Sequence, residues 1–204
     1  MNKSEHKICN NNKNLIVCFG GMALKFGEIL PFEFLNYLST HYRHTCDLVF
    51  YIDKSQCWYH KGILGITDNI KDTVLYLNAV VNDGKYDTVI FMGVSAGGYA
   101  SILFGSLCDR VNTVIGFIPQ TVLTSPIDIS YSNLKSILNS HTEYILYGDM
   151  SIIRPDDNHH ISHCINIECF SNVTIIKEDR CILRELRDNG TIKELIDNAL
   201  LKYS

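Results

Sequence analysis

Short unbroken apolar runs alternate along the chain with stretches whose apolar residues recur every three or four positions. The first kind reads as buried parallel strand and the second as amphipathic helix. Residues 15–19 (LIVCF) form the first run and stop at Gly20-Gly21. Pro31 then opens a helical pattern with Phe34, Leu35 and Leu38 on one face. Residues 48–52 are a second strand. Ile66, Ile70, Val74, Leu77 and Val81 recur at helical spacing, and Asp83-Gly84 closes that helix. Residues 88–92 are a third strand, followed by a Gly-rich turn and a helix over 100–108. A fourth strand, 113–118, ends at Pro119. A loop (121–131), a short helix (133–138), a fifth strand (144–147) and a sixth (173–176) follow. The chain closes on helical stretches 182–187 and 192–201, punctuated by Asn189-Gly190.

Strands separated by helical patterns imply right-handed βαβ crossovers. The expected architecture is a three-layer α/β/α sandwich with a mostly parallel, about six-stranded sheet. Residues 14–204 form one domain, a size that a single core supports. The polar, Asn-rich residues 1–13 read as a disordered lead-in without an apolar signal-peptide core. That points to a cytoplasmic protein.

No charge occurs between Asp87 and Asp109, a span long enough to cross a bilayer. Its middle reads Gly93-Val94-Ser95-Ala96-Gly97-Gly98, and Ser101 and Ser106 follow, so strand, tight turn and buried helix explain it better. A net charge of -4 without a basic stripe argues against nucleic acid as a partner. The eight cysteines include no CxxC pair, which disfavours zinc-ribbon and thioredoxin-like readings and suits reduced thiols.

The chemistry gathers at residues 89–99. Gly93-Val94-Ser95-Ala96-Gly97 is G-x-S-x-G with a strand before it and a helix after it. On so sharp a bend the neighbours two before and two after the serine must be small. The bend presents the Ser95 hydroxyl at the positive end of a helix. The N–H of Ala96 is one oxyanion donor, and the N–H of Gly21 or Met22, in the loop after the first strand, is the second. A dinucleotide site would need G-x-G-x-x-G where Phe19-Gly20-Gly21-Met22-Ala23-Leu24 stands, and a P-loop would need Gly-Lys-Ser/Thr.

From Leu15 to Leu201 the chain resembles a small, cap-less α/β-hydrolase. It also resembles compact bacterial hydrolase-like proteins with a Trp-Tyr-His-x-Gly segment (Trp58-Tyr59-His60-Lys61-Gly62) and a Pro-Gln pair (Pro119-Gln120). Members of that group carry an Asp-x-x-His segment near the acid position and a histidine at the final helix. The resemblance therefore implies a Ser, Asp, His order along the chain. Asp157-Asn158-His159-His160 fits the Asp-x-x-His pattern and makes Asp157 and His160 the first choices, with Asp149 and Asp156 as other acids. The histidine implied after the sixth strand falls near Cys181, and no histidine follows His163. A thiol accepts a serine proton poorly, so position 181 reads as a vacated base position.

Either the general base is lost, or His60, His159, His160 or His163 replaces it. His159, His160 and His163 with Asp156 and Asp157 also suggest a zinc cluster, but no fourth ligand stands at useful spacing. His41 and His44 near Cys46 read as a solvated helix end. Trp58 and Tyr59 either pack beside the second strand or line a substrate opening.

Two functions follow. One is a serine hydrolase acting on a small-molecule ester, thioester or related acyl substrate, needing no cofactor or metal. The other is a catalytically weakened hydrolase fold used for binding or as a scaffold.

Overall fold

A computed structural model describes residues 4–22, 32, 34–83 and 86–203. Its strands are β1 (Glu5–Ile8), β2 (Asn14–Phe19), β3 (Cys46–Tyr51), β4 (Thr88–Val94), β5 (Thr113–Phe117), β6 (Glu143–Asp149) and β7 (Val173–Glu178). They form one seven-stranded sheet in the order β1-β3-β2-β4-β5-β6-β7. All neighbours pair in parallel except β1, which runs antiparallel to β3. The helices are α1 (Leu35–His41), α2 (Ile70–Asp83), α3 (Ala96–Leu107), α4 (Ser162–Ile165), α5 (Leu183–Asp188) and α6 (Thr191–Lys202). Pro31, the expected helix opener, lies outside the described residues.

Alternate strand residues divide the core into two layers, as the pleat requires. Leu15, Val17, Phe19 and Phe91 pack with Leu77 of α2 and Leu103 of α3 on one face. Ile16, Cys18 and Met92 pack with Leu38 of α1 and Ile192 and Ile196 of α6 on the other. Burial on both faces is why β2, β3 and β4 are apolar without alternation. The uncharged span that raised the membrane question is β4, a turn and α3, whose residues 96–106 are buried. Among the described residues no helix is long and apolar enough to cross a membrane.

The expected disordered lead-in is corrected in part, because Glu5–Ile8 adds a seventh strand at the sheet edge. Two tethers hold it. Glu5 pairs with Tyr51 through to Ile8 with Leu48, and the Ile52 N–H donates to the Ser4 carbonyl at 3.0 Å. Beyond the strand, the buried Asp47 carboxylate accepts the N–H groups of Asn10 (2.8 Å) and Asn12 (3.1 Å) and the Tyr86 hydroxyl (3.0 Å). Asp47→Asn turns a donor towards these donors and should cost about 2–3 kcal/mol, because hydrogen bonds to a buried charge are the strong ones. Urea unfolding checks it; a change below about 0.5 kcal/mol, the range of ordinary surface substitutions, would show that the tether contributes little.

Candidate active site

β4 ends at Val94, and Ser95 turns the chain into α3 with φ 54° and ψ −119°. A non-glycine residue is held at positive φ only where its surroundings over-determine it. Here the Ser95 N–H donates to the Phe117 carbonyl at 3.0 Å, and its own carbonyl accepts the Tyr99 N–H at 2.9 Å. The flanking glycines are fixed by contact. A Cβ on Gly97 would lie 2.0 Å from the Phe19 carbonyl oxygen, and one on Gly93 would lie 2.4 Å from the Gly97 carbonyl. The end of β2 therefore presses on the first turn of α3, and Gly20, Gly21 and Met22 continue from that contact. The first N–H groups of α3, Ala96 among them, have no partner within the helix. The Met22 carbonyl accepts the Gln56 side-chain amide at 2.7 Å.

The Ser95 hydroxyl meets a histidine. Its Oγ lies 2.7 Å from Nε2 of His159. His159 stands on the connection from β6 to α4, not after β7. Its Nδ1 lies 3.7 Å from Asp157 Oδ1, an ion-pair distance rather than a hydrogen bond. The same oxygen accepts the His159 backbone N–H at 2.9 Å, which ties ring and carboxylate to one turn. Both side chains are open to solvent, at 36% for His159 and 41% for Asp157.

The choice of His160 from the Asp-x-x-His spacing does not match this geometry. His160 Nδ1 contacts Ser162 Oγ at 2.9 Å, and its backbone bridges to Asp149. The Asp157 side chain caps the amide of His159, and the His160 N–H donates to the Asp157 carbonyl at 3.1 Å. That tight turn sends successive side chains apart, so only one histidine reaches Ser95. Asp156 faces outward and pairs with Arg154 at 2.8 Å.

The other two candidate histidines, His163 and His60, are engaged in hydrogen bonds elsewhere. His163 Nδ1 accepts the Thr121 N–H at 3.2 Å, and burial followed by the charges of His159 and His160 lowers its pKa. His60 is buried, which lowers its pKa and favours the neutral ring. Its Nδ1 accepts the Asp128 N–H (3.0 Å), so the proton sits on Nε2 and donates to the Tyr99 hydroxyl (2.9 Å). Tyr99 in turn donates to the Tyr131 carbonyl at 2.7 Å, pinning the loop after β5 onto α3. Among the described residues no three His, Cys, Asp or Glu side chains gather as a metal-ligand group.

The two short segments behind the bacterial resemblance meet in space. The Trp58 indole N–H donates to the Gln120 side-chain carbonyl. Trp58 and Tyr59 both have positive φ, at 55° and 61°. The buried Asp53 carboxylate offsets that strain by accepting the N–H groups of Ser55, Cys57 and Tyr59 at 2.7–3.0 Å. Tyr59 is fully buried and donates to the Gly20 carbonyl at 3.0 Å, so it packs rather than lines an opening.

Cys181 sits just after β7, buried, with its backbone N–H donating to Asp149 at 3.0 Å. Burial first, then Asp149 and Glu178, push its thiol up to about 12, which removes it as a proton acceptor at neutral pH. Burial works against ionisation of Asp149. The Ser151 hydroxyl and amide, the Cys181 amide and Arg180 outweigh it and lower the pKa. Asp149 thus fastens the start of the loop that carries His159.

No family model matches the chain, and no curated protein matches it in sequence. Solved structures do match it in shape. A bifunctional GH43-CE protein of Bacteroides eggerthii superposes with a TM-score of 0.63 at 12% identity, covering 98% of this chain and 33% of that one. This chain thus spans about a third of that protein's length. A lipase-esterase related protein from Clostridium acetobutylicum gives 0.59 at 11% identity, covering 95% of this chain and 98% of that one. The fold is that of the α/β-hydrolases. Alpha/beta hydrolase domain-containing protein 10 from mouse agrees, at 0.58 and 12% identity over 95% and 93% of the two chains. Identities this low carry the fold and leave the reaction to the residues.

The hydrolase fold also leaves an open cavity of about 560 Å³ between α1, α5 and α6. Val94, the residue before Ser95, forms part of its wall. The sequence names none of its residues as a site, since aromatic and aliphatic residues at helical spacing look like core.

Proposed function

We propose that the protein is a serine hydrolase of acyl substrates whose general base is His159. The 2.7 Å contact between Ser95 Oγ and His159 Nε2, at a serine held in a strained strand-to-helix turn, carries this reading. Ser95 Oγ attacks the acyl carbonyl carbon while its proton passes to Nε2 of His159. Nδ1 then bears the proton facing Asp157, whose carboxylate stabilises the cationic ring. The negative charge on the carbonyl oxygen is received by the N–H groups of Ala96 and of Gly21 or Met22. One well-placed donor of this kind is worth about 3 kcal/mol. Collapse of the adduct expels the alcohol or thiol, which takes the proton from His159. Water, deprotonated by the same ring, then releases the acid and restores Ser95.

A fluorophosphonate probe tests this without knowledge of the substrate. The folded protein should be labelled, and Ser95→Ala should abolish the label. Absence of label on wild-type protein with intact near-UV circular dichroism would overturn the reading and leave a binding protein on a hydrolase fold.

A further inference from the structure

The cavity reaches the catalytic turn through Val94, the residue before Ser95, and its lining runs from buried apolar to exposed cationic side chains. Phe34, Leu183 and Ile192 give it an apolar wall together with Val94, which is only 7% exposed. Arg187 and Arg184 complete it at the solvent side, with side chains 45% and 83% exposed. No carboxylate is among the described residues that line it. The nearest acid on the same helix is Asp188, which Arg187 contacts at 2.7 Å and Arg184 at 3.7 Å. One carboxylate thus faces two guanidinium groups, and the charged side chains among the described lining residues are both cationic, on a chain whose net charge is negative. A volume of about 560 Å³ is in the range of small-molecule sites.

Resting on the hydrolase reading above, we propose that the cavity takes an acyl group that is apolar near the carbonyl and ends in an anion. The methylene chain lies against Val94, Phe34, Leu183 and Ile192. The terminal anion is held by Arg187, with Arg184 as its second contact. Guanidinium forks suit carboxylate and phosphate alike, so the shared chemistry is an oxyanion on a short aliphatic chain. A purely apolar acyl chain would leave the two cations without a role in binding.

Three 4-nitrophenyl esters with four methylenes each after the carbonyl test this: hexanoate, the half-ester of adipic acid, and 5-phosphonopentanoate. Wild-type kcat/KM should favour at least one charged ester over hexanoate by about tenfold, as a charge-assisted contact in a partly screened site allows. Which charged ester leads tells carboxylate from phosphate. In Arg184→Gln/Arg187→Gln the charged-to-neutral ratio should fall to about one, and in wild type it should shrink in high salt. A ratio near one in wild type, or a preference that survives the double substitution, overturns the proposal. If no ester is turned over in a Ser95-dependent way, the hydrolase reading fails separately. Calorimetry of adipate with Ser95→Ala protein then decides the cavity alone: Arg-dependent binding supports the proposal, and no binding overturns it.

Discussion

Replacing His159 with alanine should lower kcat for a small activated ester by about 100- to 10,000-fold, the range that a positioned general base contributes. His160→Ala should leave turnover near the wild-type value, although the two residues are adjacent and share the Asp-x-x-His segment. The contrast follows from geometry. The His159 ring meets Ser95 Oγ at 2.7 Å, whereas the His160 ring engages Ser162. Asp157→Asn should cost less than His159→Ala, since the carboxylate stands 3.7 Å from the ring and both are open to water. Steady-state kinetics on purified variants, each checked for native circular dichroism, measures all three. Equal losses for His159→Ala and His160→Ala would mean that the turn, not one ring, supports activity. An unimpaired His159→Ala would remove the proposed base.

The layers of the fold are legible in the sequence because burial on both faces forces continuous apolar runs, as in residues 15–19 and 88–92. β1 escapes that signal. Glu5-His6-Lys7-Ile8 lies at the sheet edge, where half-exposed polar residues are tolerated and only the pairing with β3 marks a strand. The placement of Ser95 at a strand-to-helix turn is readable for a local reason, since the glycines two residues either side answer a steric demand within one turn. The proposed base is not, because which ring faces Ser95 depends on how Asp157 caps the amide of His159. Chain order points past β7, to Cys181, and the histidine in reach comes from the preceding loop. The wall of the cavity is equally silent in sequence. Its residues come from α1 and the segment before it, β4, α5 and α6, and within each element their spacing is that of ordinary core and helix surface.

Gly97→Ala should be the most damaging single methyl group in the site. Its Cβ would stand 2.0 Å from the Phe19 oxygen, 2.8 Å from the Phe19 carbonyl carbon and 3.0 Å from Gly20 C. All three are backbone atoms at the end of a central strand, so no rotamer change relieves the overlap. Forcing β2 and α3 apart should cost about 3 kcal/mol, the upper end of overpacking, and lower Tm by roughly 6–12 °C for a chain of this size. Gly190→Ala provides the control. Its φ is +89° with nothing within 4 Å, so only backbone strain of about 1–2 kcal/mol is incurred. Thermal unfolding of the two variants separates collision from conformation. Activity adds a second reading, because the atoms that collide lead directly into Gly21 and Met22. The Gly97→Ala protein, assayed well below its Tm, should lose kcat as well as stability if those N–H groups receive the oxyanion. A variant that melts early but turns over normally would separate the β2 end from the chemistry and leave Ala96 as the donor supported.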